Sequence, residues 1–326
     1  MDTYVQLNRG MIRMSYQYFG ELLKELRLSR SLTREQLAKS ICTSKQIYRI
    51  EKGECEPSLH LLNQLSTKFN IDLNEYFKMH FTDYSKISHE GFQQLNGAIE
   101  NNNIKLLRQL VEEYKVYKEF SEGENLQLIY YSQALCLALL DRDYNNSLAC
   151  CLQGLLVENP NFSILTIRKS IYSNAGLSLL NCMSKNYFAL GDSKTGLSIL
   201  QDILYVVEHY GLESPHPKYR GSDFFKKIYQ LTLYNLGRHL LDLDKVDTAL
   251  DYVEKGIQFS LKEYSLRFLP ELLVMKAQLL YKVEDYEGAK EYYQQAKHLM
   301  VISKQDKKLE QLEYTVFSDY PLLVTS

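Results

Sequence analysis

Residues 32–58 read LTREQLAKSICTSKQIYRIEKGECEPS, and the spacing of apolar and capping residues within them decides the fold of the amino-terminal region. Thr33 is followed three residues later by Gln36, the spacing of a capping box, and Leu37 and Ala38 form the inner face of the short helix it opens. Thr43 and Gln46 repeat the signal; Ile47 and Ile50 then face inward until Gly53 stops the helix. Pro57 and Ser58 start another helix, carrying Leu59, Leu61, Leu62 and Leu65. Upstream, Phe19, Leu22, Leu23 and Leu26 form the stripe of a preceding helix, and downstream a short fifth helix follows Ile71 and Leu73 and ends near Tyr76 and Phe77. Two short capped helices joined by a few residues, the second rich in small polar and basic side chains, match a helix-turn-helix, whose second helix enters the DNA major groove.

Charge supports that reading. From Met1 to His80 there are 12 Lys/Arg against 9 Asp/Glu, while the remainder has 26 against 31. Within the stretch from Arg27 to Lys52, Arg27, Arg30, Arg34, Lys39, Lys45, Arg49 and Lys52 stand against Glu35 and Glu51 alone, a footprint suited to a polyanion.

Through L-x-x-L-R at Leu23 to Arg27, L-T-x-x-Q-L-A at Leu32 to Ala38, and I-x-x-I-E-K-G-x-x-x-P-S at Ile47 to Ser58, the region from Phe19 to Phe77 resembles the Xre/lambda-repressor-like family. Its turn, Ile41-Cys42-Thr43, is one residue shorter than usual and lacks the family's glycine, as in the Rgg and PlcR regulators. The resemblance implies that Ser44, Lys45, Gln46, Tyr48 and Arg49 face the groove, flanked by Thr43 and Lys52, with Ile47 and Ile50 buried. Gln46 suits adenine edges and Lys45 or Arg49 suit guanine, each good pair supplying about 1–3 kcal/mol of discrimination. Arg34 is placed to meet a phosphate. The resemblance makes Glu51 structural, paired with Arg27.

After a junction at Thr82 to His89, amphipathic helices continue in pairs. The segments NYFALGDSKTGLSIL, RHLLDLDKVDTALDYV and QLLYKVEDYEGAKEYY each join an apolar helix end, an acidic turn and a small residue, respectively Gly196, Ala249 and Ala289. Tyr229 to Phe259 and Pro270 to Met300 resemble tetratricopeptide repeats, whose hairpins bury their faces only by stacking. Two degenerate hairpins are expected at about Gly91 to Tyr117 and Leu126 to Val157. The fold expected is all-α: a lambda-repressor-like helix-turn-helix domain followed by a right-handed tetratricopeptide-like superhelix. Its divisions are an extension at 1–15, the DNA-binding domain at 16–80, a linker at 81–90 and a repeat body for peptide binding and dimerisation at 91–326. Met11 or Met14 suits the natural start, because Met14-Ser15-Tyr16 stands where the family's first helix begins.

Stacked hairpins form a concave surface that holds extended peptides. Aligning the small residues places Asn181, Lys185, Asn235, Arg238 and Gln278 on it, with Phe188, Leu231, Leu241 and Tyr281 forming apolar pockets. Asn side chains can clamp a peptide backbone, and Lys185 or Arg238 can hold a carboxylate; the alternative for Asn181 and Asn235 is bonding between neighbouring helices.

Other chemistries lack support. Gly191 to Gly196 has phosphate-loop spacing, but Leu197 and Ser198 follow where Lys and Ser/Thr belong, and no strand precedes it. No H-E-x-x-H, G-x-S-x-G or C-x-x-C occurs, so no enzyme, cofactor or metal is expected, and the six cysteines suit reduced core thiols, with Cys55 in an exposed loop. The N-x-S/T sites at Asn145 and Asn161 carry no weight in a cytoplasmic chain, which the absence of an apolar signal core and of any run of about 18 apolar residues implies. Over its whole length the chain resembles the RRNPP group of peptide-pheromone regulators, within it the Rgg and PlcR branch. That implies a cytoplasmic homodimer on a two-fold symmetric promoter site, switched by a short signalling peptide. The rival readings are a protein-interaction adaptor tethered to DNA and a peptide-independent constitutive repressor.

Overall fold

The computed structural model describes residues 19–71, 73, 86–212, 223–304, 309–310 and 320. The proposed start at Met11 or Met14 and most of the expected fifth helix lie outside these residues. No strand occurs among the described residues, and none of their helices is long and apolar enough to cross a membrane. Two compact units divide the chain, Met1–Gln93 and Gln94–Ser326.

The first unit is built from α1 (19–29), α2 (Arg34–Ala38), α3 (Ser44–Glu51) and α4 (Leu59–Phe69). The capping box on α2 is complete: Thr33 Oγ1 accepts from the Gln36 amide while the Gln36 side chain accepts from the Thr33 amide. Thr43 and Ser58 cap α3 and α4 through their hydroxyls, and Asn70 ends α4 in the left-handed conformation. Phe19, Leu23, Leu37, Ile47, Ile50, Leu62 and Leu65 close the core. Gly20 lets α1 lie directly on the end of α3, since a β-carbon there would come within 2.3 Å of the Ile50 carbonyl oxygen.

The rest is five hairpins: α5 (Lys86–Glu100) with α6 (Ile104–Tyr114), α7 (Gly123–Cys136) with α8 (Tyr144–Glu158), α9 (Asn174–Ala189) with α10 (Ser193–Val206), α11 (Asp223–Asp242) with α12 (Val246–Lys262), and α13 (Leu269–Lys282) with α14 (Tyr286–Ile302). Helix α5 begins at Lys86, so part of the segment expected as linker is helical. From the second hairpin on, each first helix packs on its own partner and on the first helix of the next hairpin, so α7, α9, α11 and α13 form one layer. Two of the three acidic turns of the sequence are capping devices: Asp192 and Asp285 accept from backbone amides at the starts of α10 and α14, as Asp143 and Asn103 do for α8 and α6, whereas α12 opens at Lys245 with no side-chain cap. Gly196, Ala249 and Ala289 are buried where the paired helices meet.

Buried polar residues join successive hairpins. Gln127 Nε2 donates to the Gly154 carbonyl at 3.1 Å and to Glu158 at 3.0 Å, while Ser173, the cap of α9, donates to Gln127 Oε1. Gln230 likewise donates to Ser260 at 2.9 Å and accepts from Ser265, just before α13. In both places a glutamine on a first helix ties the end of its partner to the opening of the next hairpin.

The substitution Gly20→Ala must push α1 off the Ile50 carbonyl. It is expected to cost the amino-terminal unit about 1–3 kcal/mol, read as an earlier transition in chemical denaturation followed from that unit.

Candidate nucleic-acid interface and ligand face

Helix α3 sorts its residues by face. Ile47, Ile50 and Glu51 are buried, whereas Lys45, Gln46, Tyr48 and Arg49 are exposed, Ser44 is half-buried, and Thr43 and Lys52 flank them in the open. Gln46 lends its backbone amide to Thr43 but no side-chain bond back, so the second capping box is only half formed and the Gln46 amide group extends into solvent. Arg49 stands 3.9 Å from Glu54 in a surface pair of little strength, which leaves its guanidinium available.

Glu51 anchors this helix. Its side chain is 1% exposed and receives Arg27 Nε at 2.5 Å and Arg34 Nε at 2.7 Å, while Arg27 also donates to the Leu32 carbonyl. Burial pushes the Glu51 carboxyl up, but the hydrogen bonds and charges of the two arginines outweigh it and hold the group below its ordinary value. The pairing with Arg27 is as expected. Arg34 departs from the expectation: it lies on Glu51 and over the Tyr48 ring, 5.1 Å from the centroid, instead of standing free for a phosphate. Two further features were not legible in the sequence. Lys68, from α4, donates to the carbonyls of Gln36, Leu37 and Lys39 and so closes the end of α2, and Cys55 is half-buried against the core instead of exposed.

In the repeat body, Lys185 and Phe188 on α9 meet Arg238 and His239 on α11. The Phe188 and His239 rings stack with centroids 3.4 Å apart and an interplanar angle of 8°. Burial first, then the charges of Arg238 and Lys185, lower the His239 imidazole to about 4, which keeps it neutral at pH 7. Lys185 is exposed to water, yet desolvation by surrounding protein and the nearby Arg238 lower its ammonium. No acidic side chain pairs with Lys185 or Arg238 among the described residues. His239 is the member of this cluster that sequence reasoning missed, whereas Lys185, Phe188 and Arg238 were among the residues expected on this face.

The other expected ligand residues separate. Asn181 and Asn235 are both buried, and Asn235 Nδ2 donates to Asn181 Oδ1 at 3.1 Å, so in this structure they bond helix to helix instead of presenting free amides. Leu241 belongs to the core between the fourth and fifth hairpins and forms no open pocket. Leu231 and Gln278 are half-buried, and Tyr281 packs edge-on against Tyr286 and Tyr320. The Gly191 to Gly196 turn is a helix junction in which Asp192 caps α10.

Residues 23–76 match the helix-turn-helix model, and residues 156–311 match the model of the RNPP family C-terminal domain. The stretch from 156 to 311 thus carries the RNPP family C-terminal domain. No match is found among curated proteins. Among solved structures, the chain is similar to Bacillus thuringiensis PlcR in complex with the peptide PapR7 and DNA, with 21% identity, a TM-score of 0.68 and coverage of 91% of this chain and 99% of that one. It is also similar to the pheromone receptor Rgg2 of Streptococcus dysgalactiae (15%, 0.64, 92% and 99%) and to ComR of S. thermophilus in complex with DNA and its signalling peptide ComS (17%, 0.59, 92% and 99%). At these identities the likeness is one of fold: a helix-turn-helix head and a helical repeat body.

Two pH dependences follow. Glu51 titrates below its unfolded value, so its contribution is present above about pH 4.5 and disappears as pH falls through the lower folded value. Glu51→Gln is expected to remove that slope and to destabilise the head by about 3–5 kcal/mol, because two guanidiniums lose their counter-ion. His239 is also depressed, so the unfolded chain binds a proton that the folded body does not between pH 6.5 and about 4. Body stability therefore declines as pH drops through that window, and His239→Phe, which keeps an aromatic ring beside Phe188, is expected to flatten the decline in pH-dependent denaturation curves.

Proposed function

We propose that the protein is a cytoplasmic transcriptional regulator that binds a two-fold symmetric promoter site as a homodimer and responds to a short signalling peptide held on its repeat body. It works by binding and not by catalysis. PlcR and ComR, with which it shares its fold, are described in complex with both a peptide and DNA. One such head buries too little surface for genomic specificity, which is why the reading includes a dimer. The division into a DNA-binding head and a peptide-binding and dimerising body is part of the same reading.

The observation that carries it is the meeting of Lys185, Arg238 and His239 on adjacent first helices with no acidic partner among the described residues. Desolvation first, and then the charge of Arg238, lower the Lys185 ammonium, and a peptide carboxylate placed beside these two cations offsets both effects and adds charge-assisted bonds, with the neutral His239 ring alongside. Asn181 and Asn235 lie on the same two helices, and a peptide backbone competes for the bond they make to each other. Free-energy linkage then requires only that the peptide prefer one arrangement of the dimer.

The test is fluorescence anisotropy of the full chain with duplex DNA from upstream of its own gene and its neighbours, with and without short synthetic peptides encoded nearby. Specific binding that shifts with one peptide is the expected result. Arg238→Ala is expected to abolish the shift while leaving affinity for DNA without peptide unchanged. Binding indifferent to every such peptide contradicts the sensor reading, and no specific binding at any salt contradicts the regulator reading.

A further inference from the structure

The contacts of Arg34 differ from those of the exposed cations on the recognition helix. Its Nε donates to Glu51 Oε2 at 2.7 Å, its side chain is one-third exposed, and its guanidinium carbon lies 5.1 Å from the centre of the Tyr48 ring. Glu51, at the end of α3, is buried, so taking Arg34 away leaves a desolvated carboxylate oxygen with only the long 3.2 Å contact from Arg27. A solvent-facing phosphate bond offers little against that loss. Tyr48 is 40% exposed and stands one turn before Glu51, on the side of α3 that carries Lys45 and Arg49. Only a planar guanidinium can bond Glu51 and lie against the ring at the same time.

We propose that Arg34 is a positioning residue: it links the buried carboxylate at the end of the recognition helix to the Tyr48 ring, holds that ring ready for the bases, and makes no phosphate contact when the protein is on DNA. This rests on the DNA-binding reading above and deepens it, making Tyr48 a specificity-determining side chain whose rotamer is set from α2.

Salt titration separates the two roles of Arg34. A residue that neutralises a phosphate contributes about 0.9 to the slope of log affinity against log salt, whereas a residue that only orients a neighbour contributes nothing to it. The experiment uses the full chain, the duplex from upstream of its own gene and a scrambled duplex of equal length. Arg34→Gln is expected to leave the salt slope at its wild-type value and to reduce the preference for the promoter duplex about two- to fivefold, the size of an exposed cation–π contact. Arg34→Lys, which retains a charge for Glu51 but lacks the plane, is expected to lose the same preference with thermal stability intact, so a folding defect in Arg34→Gln does not decide the matter. Joined to Tyr48→Ala, neither substitution is expected to lower the preference further. A slope shallower by about 0.9 in Arg34→Gln, or additive losses with Tyr48→Ala, overturns the proposal. Failure of the wild-type chain to bind either duplex overturns the DNA-binding reading itself.

Discussion

A hairpin of two amphipathic helices cannot bury all of its apolar surface alone, and the architecture of the body follows from that constraint. Stacking removes the remaining surface from water, but only if backbones approach closely, which is why small residues stand at 196, 249 and 289. Stacking also buries polar groups, and each needs a partner: Gln127 and Gln230 find theirs at the joints between hairpins, and Asn181 and Asn235 find each other. On the face of α9 and α11, Lys185 and Arg238 have no acidic partner among the described residues. That face is therefore polar, partly desolvated and electrostatically incomplete, the condition in which an acidic ligand gains most.

The head solves a different problem with one buried carboxylate. Glu51 fixes the end of the recognition helix to α1 through Arg27 and to the start of α2 through Arg34. Its burial would be costly unpaired, so the two guanidiniums are held in place as firmly as they hold it. The exposed residues of α3, Lys45, Gln46, Tyr48 and Arg49, then stand on a helix whose orientation is already set.

How far the structure was legible in the sequence depended on range. Thr33, Gln36, Thr43 and Ser58 act within one turn of their own helix, and their roles were readable from spacing alone; so were the acidic turns at Asp192 and Asp285 and the inward face of Ile47 and Ile50. Contacts between residues far apart were not. The bond from Asn235 to Asn181 spans 54 positions, the reach of Lys68 to the end of α2 about 30, and the Phe188–His239 stack depends on how two hairpins rotate against each other. Arg34 shows the limit most clearly: its position at the start of α2 suggested a phosphate, but a carboxylate 17 residues away in sequence lies closer. Leu241 failed for a related reason, since its side of α11 meets the fifth hairpin and not the open face.

The central claim is that one chain carries two separate binding faces, α3 for DNA and the α9–α11 face for a peptide. Amide hydrogen exchange on the full chain, with the promoter duplex alone, with a responsive peptide alone and with both, tests it most directly. The account predicts protection across Ser44 to Arg49 from DNA alone, and protection across residues 181–188 and 235–239 from peptide alone. Peptide protection confined to other helices, or DNA protection that spares α3, would contradict it.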